Sequence, residues 1–195
     1  MRKIKTPKIK KSDLKLIGKR IILQPLKISD AKDIHFNIQD KRIAENTSLI
    51  PWPYKLKDAK FFVQKTQESL KKKSNFSFGI ELKSKKEVIG CMSLDKVNFE
   101  HKNAEIGYWL GSKYWGQGIT TEAGKLILNF AFKKIKLHRL YGFAFGDNPA
   151  SQAVFKNLGF KKEGLLRQTH WRFGRWRDDV QYGLLSKGFF KKQNL

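Results

Sequence analysis

Residues 104–123 read AEIGYWLGSKYWGQGITTEA, and this stretch decides how the rest of the chain is read. Its opening alternates: Glu105, Gly107 and Trp109 fall on one face of an extended chain and Ile106, Tyr108 and Leu110 on the other. The strand ends near Gly111, and a short loop carries Trp115-Gly116-Gln117-Gly118. A helix opens at Ile119 or Thr120, because Ile119, Ala123, Leu126, Ile127, Phe130 and Ala131 recur on one helical face as far as Lys134. Glycines just before a helix let main-chain amides approach an anion closely, and the helix N-terminus adds partial positive charge. The stretch fits a phosphate cradle made of backbone, although a plain strand-to-helix turn would use the same glycines. A P-loop is excluded by the missing Lys-Ser/Thr pair, and the dinucleotide fingerprint by the missing third glycine.

Upstream, residues 16–26 are β-branched and end in a turn after Pro25, which predicts a first strand. Ser29 is placed to cap a helix over 30–39, and a second helical period runs over 57–70 behind the loop Pro51-Trp52-Pro53-Tyr54. Residues 76–82, 88–97 and 104–110 form an antiparallel meander. Downstream come a strand over 139–145, a helix over 149–158 stopped by Gly159, and two closing strands over 161–173 and 176–185. Residues 1–12 read as a basic tail, 13–188 as one domain and 189–195 as a C-terminal tail.

The chain has 195 residues, and 40% are hydrophobic, so one domain can bury a sizeable core. The single Cys91 forms no internal disulfide, and the scattered His35, His101, His138 and His170 lack metal-ligand spacing, so no metal is expected. The absence of a long apolar run points to the cytoplasm rather than a membrane or secretion. With 41 Lys+Arg against 17 Asp+Glu, the net charge of +24 invites an anionic partner: a polyanionic cofactor, an acidic protein or RNA. Lysine spread over solvated surface is the plainer explanation.

Residues 139–160, RLYGFAFGDNPASQAVFKNLGF, add ordered motifs: Asn148, Ser151 and Gly159-Phe160. Together with Trp115-Gly116-Gln117-Gly118, Thr121-Glu122-Ala123 and the closing Gly174-Arg175-Trp176-Arg177-Asp178, they make residues 16–187 resemble the GNAT superfamily of N-acetyltransferases, in its ribosomal-protein N-terminal branch. Trp115 stands where the superfamily usually has Arg or Gln, and Thr120 where it has Gly or Ala. The resemblance implies a single α/β (mixed α+β) domain whose central, mostly antiparallel twisted sheet has about seven strands and helices on both faces. Its fourth and fifth strands would splay around acetyl-CoA. Gly116, Gln117, Gly118, Ile119 and Thr120 would hold the pyrophosphate, and Trp109, Leu110, Gly111 and Asn148 the pantetheine arm. Asn148 before Pro149 is also a standard helix cap.

Direct attack of a neutral amine on a thioester requires deprotonating the amine, steadying the oxyanion and protonating the thiolate. Glu105 is the candidate base, with a salt-bridged sheet-edge carboxylate as the alternative. Many members of the superfamily donate a proton from a Tyr at the position of Phe155, which a phenyl ring cannot do; the resemblance to the branch implies Ser151, three residues after Asn148, for that job, a residue that could equally cap its helix. Trp52 and Tyr54 could border the acceptor groove or pack as a hinge. An α-amine, with a pKa of about 7.7–8.0 against about 10.4 for Lys, is the easier acceptor for one modest base. The expected activity is therefore acetyl transfer to a protein N-terminus, ribosomal by resemblance, with an acidic or RNA-assisted acceptor suiting the charge. Rivals are a polyamine or antibiotic acetyltransferase and a non-catalytic RNA-binding module.

Overall fold

The computed structural model describes residues 6–193. The predicted meander is present: β3 (Phe76–Leu82), β4 (Glu87–Asn98) and β5 (Asn103–Leu110) pair antiparallel. Ahead of them the expected single strand is two, β1 (Leu16–Ile17) and β2 (Ile21–Pro25), because the chain turns back over Gly18 to Arg20. Among the described residues the sheet therefore has eight strands rather than about seven.

After α1 (Ala31–Asn37) comes α2 (Lys41–Glu45), a helix too short for periodicity to reveal and capped by Asp40, whose side chain accepts from the Arg42 amide at 3.0 Å. The expected Ser29 cap is not made. The Ser29 hydroxyl instead contacts Asp30 Oδ1, and Asp30 Oδ2 accepts from the Lys27 amide at 2.8 Å. The second long helix, α3, spans Leu56–Lys72.

Across the sheet, α4 (Ile119–Asn129) runs on into a π-helical turn over Phe130–Lys134 and buries Ile119, Ala123, Ile127 and Leu128. Burying each of the isoleucine and leucine side chains among them contributes about 1.5–3 kcal/mol. Next come β6 (Arg139–Phe145) and α5 (Pro149–Leu158). The ends of α5 are fixed by local chemistry: Asn148 Oδ1 accepts from the Ser151 amide at 3.1 Å, Pro149 occupies the first turn, and Gly159 takes φ 90°. β7 (Lys161–Arg172) and β8 (Arg175–Leu185) form a long hairpin.

The sheet order is β1-β2-β3-β4-β5-β6-β8-β7. Its strands alternate between two cores. Cys91 and its cross-strand partner Trp109 pack with Ile34, Ile43 and Val63 of α1 to α3, while Met92, Leu94, Ile106 and Leu110 pack with α4 and α5.

Two expectations at the termini are revised. Within the expected N-terminal tail, residues 1–5 lie outside the described residues; farther on, Ile9 packs against the core and Asp13 pairs with Lys134 at 2.8 Å. In place of a C-terminal tail, Ser186–Gln193 form α6, whose Phe189 is buried with its ring 5.1 Å from Phe132; residues 194–195 lie outside the description. An aromatic residue one turn into a helix finds apolar area that a basic stretch of sequence does not announce.

Candidate active site

β5 and β6 run parallel and pair only at Asn103–Arg139, Ala104–Leu140 and Glu105–Tyr141. Beyond Glu105 they part. Two cavities open at the parting, of about 380 Å³ on the α4 and α5 side and about 690 Å³ on the other, and both are lined by Asn46, Thr47, Tyr108, Trp109 and Ser151.

The smaller cavity ends on the glycine loop. Gly116 and Gly118 adopt φ 73° and 71°, left-handed values that strain any residue with a Cβ. A Cβ on Gly116 would meet nothing within 4 Å, so the loop faces open space. Gly118 is the N-cap of α4 and supplies no side-chain acceptor, so the amides of the first turn, from Ile119 onward, have no cap. Uncapped amides, open space above them and the positive end of a helix suit a pyrophosphate. Arg20, which sequence reading passed over, stiffens the loop: its guanidinium donates to the Gln117 carbonyl at 2.8 Å and pairs with Glu122 at 2.8 Å. The Trp115 indole, in the position usual for Arg or Gln, donates to the Leu110 carbonyl at 2.7 Å and clamps loop to strand. Gly118, Ile119, Thr120, Trp109, Leu110 and Asn148 line this cavity with Gly116. Gln117 and Gly111 do not line it. The Gln117 amide turns back to the Lys113 carbonyl, and Gly111 packs against Asn37.

On the larger cavity Glu105 pairs with Lys96 at 2.8 Å, and its cross-strand partner is Asp95. Asp95 is half-buried and accepts from the Ser93 hydroxyl at 2.5 Å; burial, with the charge of Glu105 behind it, raises its carboxyl above the usual range. Ser151 lies across the parting, its hydroxyl 2.6 Å from that of Tyr108. Phe155 is a core residue, stacked on Tyr182 with centroids 4.9 Å apart. Trp52 and Tyr54 line neither cavity. Tyr54 is buried between α1 and α3, because its ring finds more apolar area there than in a groove. Residues 46–50 form the wall instead, pinned from the β7–β8 hairpin. Arg172 donates to the carbonyls of Ala44 and Ile50 at 2.8 and 2.7 Å, and the buried Arg177 bonds the Glu45 carbonyl and Asp147. Cations at the carbonyl end of α2 also meet its dipole favourably.

Residues 20–161 match the family model of the acetyltransferase (GNAT) domain. The chain belongs to the GNAT acetyltransferase family. This acetyltransferase is 31% identical over 175 residues to the Bacillus subtilis protein named "Probable N-acetyltransferase YjcK", across 88% of this chain and 97% of that one. In fold it resembles the ribosomal-protein-S5-alanine acetyltransferase of Vibrio fischeri (TM-score 0.80, 24% identity, 90% of this chain and 98% of that one). It also resembles the microcin C7 self-immunity acetyltransferase MccE, whose structure was solved with acetyl-CoA and AMP (TM-score 0.78, 23% identity, 86% and 93%). Acetyl-CoA is the donor of the family, and the uncapped first turn of α4 fits its pyrophosphate.

Among the described residues of the acetyltransferase, no helix is long and apolar enough to cross a membrane.

Proposed function

We propose that this acetyltransferase modifies the N-terminal α-amine of a protein held in an RNA-rich assembly such as the ribosome. The carrying observation is that the two cavities meet where β5 and β6 part, with a carboxylate on one side and a hydroxyl on the other. In this reading Glu105 takes a proton from the amine, whose nitrogen forms the C–N bond at the thioester carbonyl. The C–S bond breaks, and Ser151 gives the thiolate a proton. Gly116, Gly118 and the first-turn amides of α4 hold the donor, with the Asn148 and Leu110 regions along its arm. Charge supports the acceptor assignment at two scales. The +24 surface favours a polyanionic surrounding, whereas Asp95 and Glu105, the latter shared with Lys96, offer carboxylates to an ammonium group within the larger cavity. Near neutrality about one α-amine in ten is already neutral, against fewer than about one Lys in a thousand.

Those same carboxylates also favour a second reading, a small cationic amine of the polyamine class. Thiol release from acetyl-CoA across free-N-terminus peptides, N-blocked Lys peptides and spermidine separates the two. We expect kcat/KM for the free N-termini at least about tenfold above the others, in line with their larger neutral fraction. Turnover of spermidine with silent peptides would replace the first reading by the second.

A further inference from the structure

The Tyr108 and Ser151 hydroxyls meet 2.6 Å apart across the gap between β5 and the start of α5, and both residues line both cavities. They stand where donor and acceptor must meet. Local bonds fix each partner. The Ser151 amide is held by Asn148 Oδ1 at 3.1 Å, and the Tyr108 hydroxyl also lies 3.3 Å from the Ser151 carbonyl. Phe155, one helical turn farther on, is buried against Tyr182 and carries no proton to give.

From this geometry we infer that Tyr108 is a positioning residue for the departure of the thiolate: it aims the Ser151 hydroxyl at the sulfur and resupplies its proton. The inference rests on the acetyl-transfer role proposed for Ser151. As the C–S bond breaks, sulfur takes the Ser151 proton, and the serine oxygen takes the proton of the Tyr108 phenol. The phenolate regains one from water in the larger cavity, which also receives the proton that Glu105 took from the amine, so protons balance over a turnover. Burial, eased slightly by the bond to Ser151, raises the phenol to about 12, so Tyr108 carries its proton throughout the neutral range.

The test is a double-mutant cycle on Tyr108→Phe and Ser151→Ala, run on whichever amine the wild type turns over, with acetyl-CoA affinity followed by calorimetry. We expect Tyr108→Phe to lower kcat by about 10- to 100-fold, below the full contribution of a general acid, with acceptor KM and acetyl-CoA Kd held within about twofold. We expect the double variant to be no slower than the slower single one, because the two hydroxyls act as a unit. A wild-type kcat for Tyr108→Phe, or losses that multiply, would overturn the relay. Should Tyr108→Phe melt early, tetrafluorotyrosine at position 108 keeps the ring but makes the phenol acidic enough to lose its proton on the alkaline side of neutrality, where kcat should then fall; a kcat pH profile identical to wild type would overturn the relay. Turnover of polyamines alone sinks the peptide-acceptor reading yet still reads out the cycle. Inactivity on every amine sinks both.

Discussion

The two cavities share a wall at Tyr108, Trp109 and Ser151 but end on different materials. The smaller one, the donor side of the proposed reading, ends on main chain, where two glycines in left-handed conformations meet the uncapped first turn of α4 within residues 116–121. The larger one, the acceptor side of that reading, is lined by residues of α3, β3, β4, β5, β6, α5 and β7 together with the 46–50 loop. A backbone site binds a group that every member of a family shares, because amides are present whatever the sequence. A side-chain site is free to change with the acceptor. The donor half is therefore expected to resist truncation of side chains and to fail on added bulk, while the acceptor half should do the reverse.

The largest expected effect lies at the boundary. Glu105→Gln should lower kcat/KM for the amine by about 10²–10⁴-fold, the usual contribution of one general base, while acetyl-CoA Kd stays put. A matching loss of donor affinity would mean that the carboxylate belongs to the donor side. Next is the backbone claim itself. Gly118→Val forces a branched residue to φ 71°, a strain of about 1–3 kcal/mol, and should weaken acetyl-CoA by about 10- to 100-fold in calorimetry. Thr120→Ala, by contrast, should leave Kd within about twofold, since its amide remains. Equal losses in the two variants would end the contrast between backbone and side chain.

The smallest effect is one of stability. The Asp95 carboxyl is raised in the folded state, chiefly by burial, so its ionisation costs stability once the pH passes the ordinary carboxylate range, and the cost vanishes below that range. Asp95→Asn keeps an acceptor for the Ser93 hydroxyl and should melt higher than wild type at about pH 8, with the advantage fading towards about pH 3.5. A gain that is the same at both pH values would point to packing rather than charge.

Periodicity and caps carry local information, which is why β6 and α5 agree with the sequence reading end to end while α2, only a turn or so long, escaped it. The same limit separates the parts of the site. Gly116, Gly118 and Asn148 are legible because what makes them useful, a positive φ or an N-cap, is settled by a few neighbouring residues. Tyr108 was read only as one member of an alternating strand. Its partner Ser151 is 43 residues away, and the Arg172 contact to Ile50 spans 122. For Trp52 and Tyr54 the sequence leaves groove and hinge contact equally open; in the structure neither lines a cavity, Tyr54 being buried between helices and Trp52 exposed.

By itself, then, the sequence determined a strand-loop-helix that suits a phosphate cradle, most of the order of the elements around it and the strongly basic composition, since each follows from short-range stereochemistry or from composition. Only the tertiary structure decided where β5 and β6 part, which hydroxyls meet across that gap and which loop walls the acceptor side. Those depend on long-range packing of two cores on opposite faces of one sheet, a balance of buried areas that no local stretch of residues encodes.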